Sequence, residues 1–102
     1  MQTEAPVIAV LGAGSWGTAL AMQLDRSGSR CILWDLDTEN ILKIRSERCN
    51  QRYLPSIEVS ASIEVETDVL AAVKAADHVL LVTPSHAFAS VIKEIREVLV
   101  PG

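Results

Sequence analysis

The feature that most constrains this chain is the apolar run Val7-Ile8-Ala9-Val10-Leu11 followed at once by Gly12-Ala13-Gly14-Ser15-Trp16-Gly17. Apolar residues in unbroken succession, with β-branched types among them, suit a short strand buried on both faces, as inside a parallel sheet. The residues after Gly17, Thr18-Ala19-Leu20-Ala21, favour helix. A strand, then G-x-G-x-x-G, then a helix is the pattern of a dinucleotide-binding turn. Gly12 allows a sharp exit from the strand, Gly14 keeps a side chain away from a pyrophosphate, and Gly17 lets the helix approach the sheet. The N–H groups of the first helical turn, with the positive end of the helix dipole, then face an anion.

The remaining pattern alternates in the same way. The first helix is expected to run from Ser15 to Asp25 or Arg26, with Leu20 and Leu24 inward beside Ala13, Gly17 and Ala21, and to end at Ser27-Gly28. Arg30 to Trp34 reads as a second strand. Thr38 is the expected N-cap of a helix reaching about Glu47, whose apolar side is Ile41, Leu42 and Ile44. Arg48 to Pro55 reads as an irregular polar segment, and Ile57 to Val65 as one or two short strands. Thr67 is the expected cap of a short helix presenting Val69, Leu70 and Val73. Asp77 to Thr83 reads as another buried strand, and Val91, Ile92, Ile95, Val98 and Leu99 form the stripe of a last helix. This order predicts an α/β fold, a Rossmann-like doubly wound parallel sheet. The chain stops after a helix, where the alternation calls for a further strand. Residues 1–102 are therefore expected to be the N-terminal part of a dinucleotide-binding domain, with a substrate domain elsewhere in a longer protein.

Composition narrows the partners. A formal net charge of −4 without a basic cluster argues against nucleic acid, and no apolar run approaches a membrane span. The start, Met1-Gln2-Thr3-Glu4-Ala5-Pro6, lacks the basic and apolar regions of a secretory signal, so a cytoplasmic location is expected. Cys31 and Cys49 are too far apart for a C-x-x-C pair. Cys31 is expected to act as a small buried apolar residue and Cys49 to lie at the surface. No metal site is expected.

The second half of the dinucleotide pattern is an acidic residue at the end of the second strand. Asp35 stands 18 residues after Gly17 and directly follows Ile32-Leu33-Trp34. Its carboxylate is suited to accept hydrogen bonds from the adenosine ribose and to repel a 2′-phosphate, which favours NAD over NADP. The plainer reading of Asp35 is a solvated residue opening a turn toward Asp37. Arg30 and Arg45 keep NADP open as the cofactor. Thr83-Pro84-Ser85-His86 is expected to line the crevice opposite the glycines, with Pro84 shaping a loop over the cofactor and Ser85 equally suited to cap the last helix. Trp16 is expected to pack under the Pro84 loop, to flank the cofactor, or both. Trp34 is expected to pack against helix residues. The cofactor-binding candidates are thus Gly12, Gly14, Ser15, Trp16, Gly17, Asp35, Leu36 and Pro84.

Gly12 through Ala21, Leu33-Trp34, Arg48-Cys49-Asn50 with Tyr53-Leu54-Pro55, Ala76-Asp77 and Pro84-Ser85-His86, in this order, resemble the bacterial NAD(P)-dependent glycerol-3-phosphate dehydrogenases over essentially the whole chain. The resemblance implies an N-terminal cofactor domain in which Ser15 and Trp16 contact the coenzyme. It implies reduction of dihydroxyacetone phosphate to sn-glycerol 3-phosphate for phospholipid synthesis, with a lysine of a later helical domain as acid–base group. The phosphorylated substrate is then held by that later domain, and a full-length homodimer is compatible with the pattern. Asp35-Leu36-Asp37 departs from the family, many of whose members carry a basic residue or histidine just after the Leu-Trp pair. No residue within this chain is assigned a catalytic role. Two alternatives stay open: another hydroxy-acid dehydrogenase of similar fold, and a non-catalytic dinucleotide-binding module.

Overall fold

The computed structural model describes residues 5–50, 54–82 and 85–96. Its elements are β1 (Val7–Leu11), α1 (Ser15–Arg26), β2 (Arg30–Trp34), α2 (Thr38–Glu47), β3 (Cys49–Asn50), β4 (Leu54–Glu58), β5 (Glu64–Val65), α3 (Val69–Ala75), β6 (His78–Leu81) and α4 (Ser85–Ile95). Four strands form one parallel sheet in the order β5-β2-β1-β6. The chain steps outward from β1 through β2 to β5, then crosses back to place β6 on the other side of β1. That reversal makes the carboxyl ends of β1 and β6 the switch point of a doubly wound sheet, where such folds open a crevice.

The period of two along each strand divides the core cleanly. Ile8 and Val10 of β1 and Cys31 and Leu33 of β2 face one side, with Ala21 of α1 and Ile41 and Ile44 of α2. Ala9, Leu11, Ile32 and Trp34 face the other, with Val69, Ala72 and Val73 of α3 and Val91 and Ile95 of α4. Both faces of β1 are covered, which is why its sequence is apolar without interruption. Trp34 packs against α3 as expected, and its indole Nε1 donates to the Thr67 carbonyl at 3.2 Å.

Several local expectations are corrected. Asp37, not Thr38, caps α2, its carboxylate accepting from the Asn40 N–H at 3.1 Å. Asp68, not Thr67, caps α3 by accepting from the Leu70 N–H. In both places a carboxylate one residue away competes successfully for the orphan N–H groups of the first turn. Leu42 is exposed rather than part of the apolar side of α2, and the inward face of α1 is made by Gly17, Thr18 and Ala21, with Leu20 and Leu24 only half-buried. The segment expected to be irregular contains β3, which pairs antiparallel with β4. Arg48 ends α2 in the left-handed conformation, φ 53°, and so reverses the chain into that pairing. Its guanidinium donates to the Ile63 carbonyl at 2.7 Å, fastening the reversal to the next loop. Cys49, in β3, is half-buried rather than at the surface.

Candidate functional site

The glycine turn lies where the carboxyl ends of β1, β2 and β6 meet. Leu11 pairs with Trp34 on one side and Leu81 on the other. The Gly12 N–H continues the ladder to the Trp34 carbonyl at 2.6 Å, and the Val82 N–H reaches the Leu11 carbonyl at 2.9 Å. Gly12 has φ 135°, a conformation L side chains rarely adopt, so the first glycine is required by the turn itself. The third is required by contact: a Cβ on Gly17 would lie 1.6 Å from the Gly12 carbonyl oxygen. Gly14 differs from both. Among the described residues, a Cβ there would meet nothing within 4 Å. The open space beside Gly14 is the volume that a phosphate approaching the backbone needs.

The start of α1 adds to this. Its N-cap is Gly14, with no side-chain capping bond and no acidic residue in the first turn, whereas α2 and α3 are capped by Asp37 and Asp68. The positive end of α1 therefore opens on the same space with its donors not neutralised by a carboxylate. Ser15 and Trp16, the first two helical residues, are exposed, Trp16 by 81%. That exposure shows an indole not packed among the described residues; the Pro84 loop expected to cover it lies outside them. It leaves an aromatic face standing beside the glycine turn.

Asp35 occupies the end of β2 and is half-buried. Its Oδ1 accepts the Ala13 N–H at 2.9 Å and its Oδ2 accepts the Asp37 N–H at 3.0 Å. One carboxylate thus ties the glycine turn to the start of α2, combining the expected position in the crevice with the turn toward Asp37. The tie to Ala13 had no signal in the sequence, because it depends on β1 and β2 being adjacent and in register. Leu36, next along, is 48% exposed. The two arginines considered for a 2′-phosphate are elsewhere. Arg30 begins β2, at the end of the strand opposite Asp35, and the Arg45 guanidinium is committed to the Val65 carbonyl at 2.6 Å and 3.2 Å. Pro84 and Thr83 lie outside the described residues, so the expected loop over the cofactor is not described. Ser85 is the first residue of α4, and β6 does lie beside β1, which brings the start of α4 toward the crevice.

Sequence reading missed Asn50. It is fully buried, and its Nδ2 donates to the Ala13 carbonyl at 2.6 Å and to Thr18 Oγ1 at 2.8 Å. In the sequence Asn50 stood only as part of the family-like Arg48-Cys49-Asn50 motif, in a segment expected to be irregular, with no role assigned to it. Among the described residues no His, Cys, Asp or Glu cluster is arranged to hold a metal, and no helix is long and apolar enough to cross a membrane.

The chain is similar to known proteins along nearly its whole length. The family model described as NAD-dependent glycerol-3-phosphate dehydrogenase N-terminus matches residues 7–102. A glycerol-3-phosphate dehydrogenase [NAD(P)+] of Pseudoalteromonas translucida is 41% identical over all of this chain and 30% of its own length. One from Yersinia pestis is 40% identical over 94% of this chain and 28% of its own length. The crystal structure of glycerol-3-phosphate dehydrogenase from Coxiella burnetii superposes with a TM-score of 0.88 at 36% identity, covering 96% of this chain and 30% of the other. The glycerol-3-phosphate dehydrogenase of Plasmodium falciparum shares the fold, with a TM-score of 0.81 at 20% identity. This chain spans about 30% of the length of the curated relatives it matches. By its turn, its sheet order and its match over residues 7–102, the chain belongs to the family of NAD-dependent glycerol-3-phosphate dehydrogenase N-terminal domains.

Proposed function

We propose that this chain is the coenzyme-holding part of an oxidoreductase that moves hydride between NAD(P)H and the dihydroxyacetone phosphate / sn-glycerol 3-phosphate pair, serving glycerophospholipid synthesis in the cytoplasm. The observation that carries the reading is the glycine turn: an open position at Gly14 and an uncapped α1 start within a domain matching that family over residues 7–102. Gly14 and Ser15 offer backbone N–H groups to the pyrophosphate oxygens, and Gly12 and Gly17 give the turn the shape that lets the phosphates approach without a side chain intervening. Trp16 and the Pro84 loop flank the coenzyme from either side. Asp35 and Leu36 border the adenosine ribose. When bound, the nicotinamide supplies or receives the hydride; the residues of this chain orient it and keep the phosphates fixed. The phosphorylated substrate and the proton transfer belong to a further, helical domain, in a homodimeric full-length enzyme.

NAD is the preferred form. The Asp35 carboxylate lies 2.9 Å from the Ala13 N–H, at the edge of the turn, where a 2′-phosphate meets its negative charge. The exposed neighbour is Leu36 rather than a cation, and Arg30 and Arg45 are directed elsewhere. Titration of the protein with NADH and NADPH, followed by fluorescence, tests this: NADH binds at least about tenfold more tightly, equivalent to about 1.4 kcal/mol. Equal affinities refute the preference. Asp35→Ala narrows the ratio. With the domain joined to its substrate domain, oxidation of NADH on adding dihydroxyacetone phosphate supports the reaction. Turnover with a different keto acid instead would reassign the substrate, and binding without any turnover would favour a non-catalytic module.

A further inference from the structure

The buried polar residues among those described are Thr18, Asn40 and Asn50, and all three belong to one hydrogen-bonded group. Burying an amide or hydroxyl is costly unless its donors and acceptors are matched. Among the described residues these side chains bond to one another and to the Ala13 carbonyl. Asn50 uses one amide hydrogen on the Ala13 carbonyl (2.6 Å) and the other on Thr18 Oγ1 (2.8 Å). Its Oδ1 accepts from Asn40 Nδ2 at 3.3 Å, which fixes the sense of the amide, and the Thr18 hydroxyl donates to the same Ala13 carbonyl at 3.3 Å.

The target of this group is the peptide between the first and second glycines. A trans peptide is planar, and its C=O and N–H point in opposite directions; no described peptide bond is cis. Drawing the Ala13 carbonyl into the core toward Asn50 therefore turns the Gly14 N–H the opposite way, out of the core. The preceding peptide is held separately, by Asp35 accepting the Ala13 N–H at 2.9 Å. Ala13 thus has both backbone polar groups pinned by side chains that arrive from different elements, one after β2 and one in β3.

Building on the coenzyme-holding reading above, we propose that Asn50 is a positioning residue for the pyrophosphate: it sets the plane of the Ala13–Gly14 peptide so that the Gly14 N–H is aimed at the phosphate before the ligand arrives. Preorganisation of this kind raises affinity by removing the need to reorder the turn on binding. The two-residue strand β3 and its turn from α2 then have a purpose beyond packing, since they carry this one side chain beneath the glycine turn.

The test is Asn50→Leu, which keeps volume and removes both donors. Dissociation constants for NAD and for adenosine, which has no phosphate, are measured by NMR titration on the folded protein. The positioning role predicts about a tenfold or greater weakening for NAD, the scale of one hydrogen bond to a charged group, and adenosine binding within about twofold of the parent. Equal weakening of both ligands, or of neither, overturns it, because a residue that only supports the fold has no means to discriminate between them. If Asn50→Leu does not fold, the parent protein decides. The Gly14 amide and the Asn50 side-chain amide resonances must both shift on saturation with NAD and stay in place with adenosine; an unmoved Asn50 amide overturns the proposal. A parent that binds neither ligand refutes the coenzyme-holding reading itself, and the positioning role falls with it.

Discussion

The close approach of α1 to the glycine turn makes a sharp prediction for Gly17→Ala. A Cβ at residue 17 would stand 1.6 Å from the Gly12 carbonyl oxygen and 2.7 Å from its carbon. Ordinary non-bonded contact needs roughly 3.5 Å, so helix and turn must separate by roughly 2 Å. Neither partner can yield by rotating a side chain, because both are backbone. Separation would also open the contacts of Thr18 and Ala21, both fully buried against the sheet. Overpacking typically costs about 1–3 kcal/mol, and a backbone clash belongs at or above the top of that range. The helix-propensity gain of alanine over glycine, about 1 kcal/mol, offsets only part. A net loss of at least about 2 kcal/mol is expected, against a total stability on the order of 5–15 kcal/mol. For a domain of this size that lowers Tm by at least about 8 °C. Urea unfolding followed by circular dichroism measures it. Gly14→Ala is the control: its Cβ meets none of the described residues, so stability stays within about 1 kcal/mol, the scale of an altered N-cap, while dinucleotide affinity falls. A Gly17→Ala protein within about 1 kcal/mol of the parent would refute the packing argument.

Other outcomes follow from the same structure. Trp16, 81% exposed, contributes little to stability, so Trp16→Ala leaves Tm within about 2 °C yet weakens dinucleotide binding; a large drop in Tm would mean that the ring is packed. Burial, with a smaller contribution from the negative charge of Asp25, pushes the Cys31 thiol from 9.0 up to about 11. Its raised value in the folded state stabilises the fold fully below pH 9, and the contribution is lost as pH rises from 9 toward 11, where the unfolded chain ionises first. Stability should fall by on the order of 2 kcal/mol across that interval, a slope that Cys31→Ala abolishes; an unchanged slope in the variant would assign it to another group. Asp37→Ala removes the carboxylate that caps α2 and should cost about 1 kcal/mol in chemical denaturation, with Thr38→Ala nearly neutral. The reverse ranking would restore Thr38 as the cap.

Much of this molecule is legible in its sequence because the relevant forces act over short distances along the chain. The unbroken apolar run at Val7–Leu11 announces a strand covered on both faces, and the sheet does cover it. The glycine spacing announces a strand-to-helix turn, and the limits of α1 follow from Ser15 and Ser27-Gly28. Capping was less legible. Asp37 and Asp68 each stand beside a threonine of similar capping strength, and which of the two reaches the orphan N–H depends on a local backbone angle that composition does not reveal.

What the sequence alone determined is the alternating α/β order, the position of the glycine turn and the placement of an acid after the second strand. Those are written in apolar periodicity, glycine spacing and residue order, each a property of neighbouring residues. Only the tertiary structure decided what pins that turn. Asp35 reaches Ala13 across 22 residues and Asn50 reaches it across 37, so neither bond exists until β1 and β2 pair and the α2–β3 reversal brings Asn50 beneath the glycines. Tertiary contact also committed Arg45 to the Val65 carbonyl, and the fold left Trp16 exposed beside the crevice. Hydrogen bonds between distant residues have no period in the sequence; they are specified by the fold that the nearby residues build.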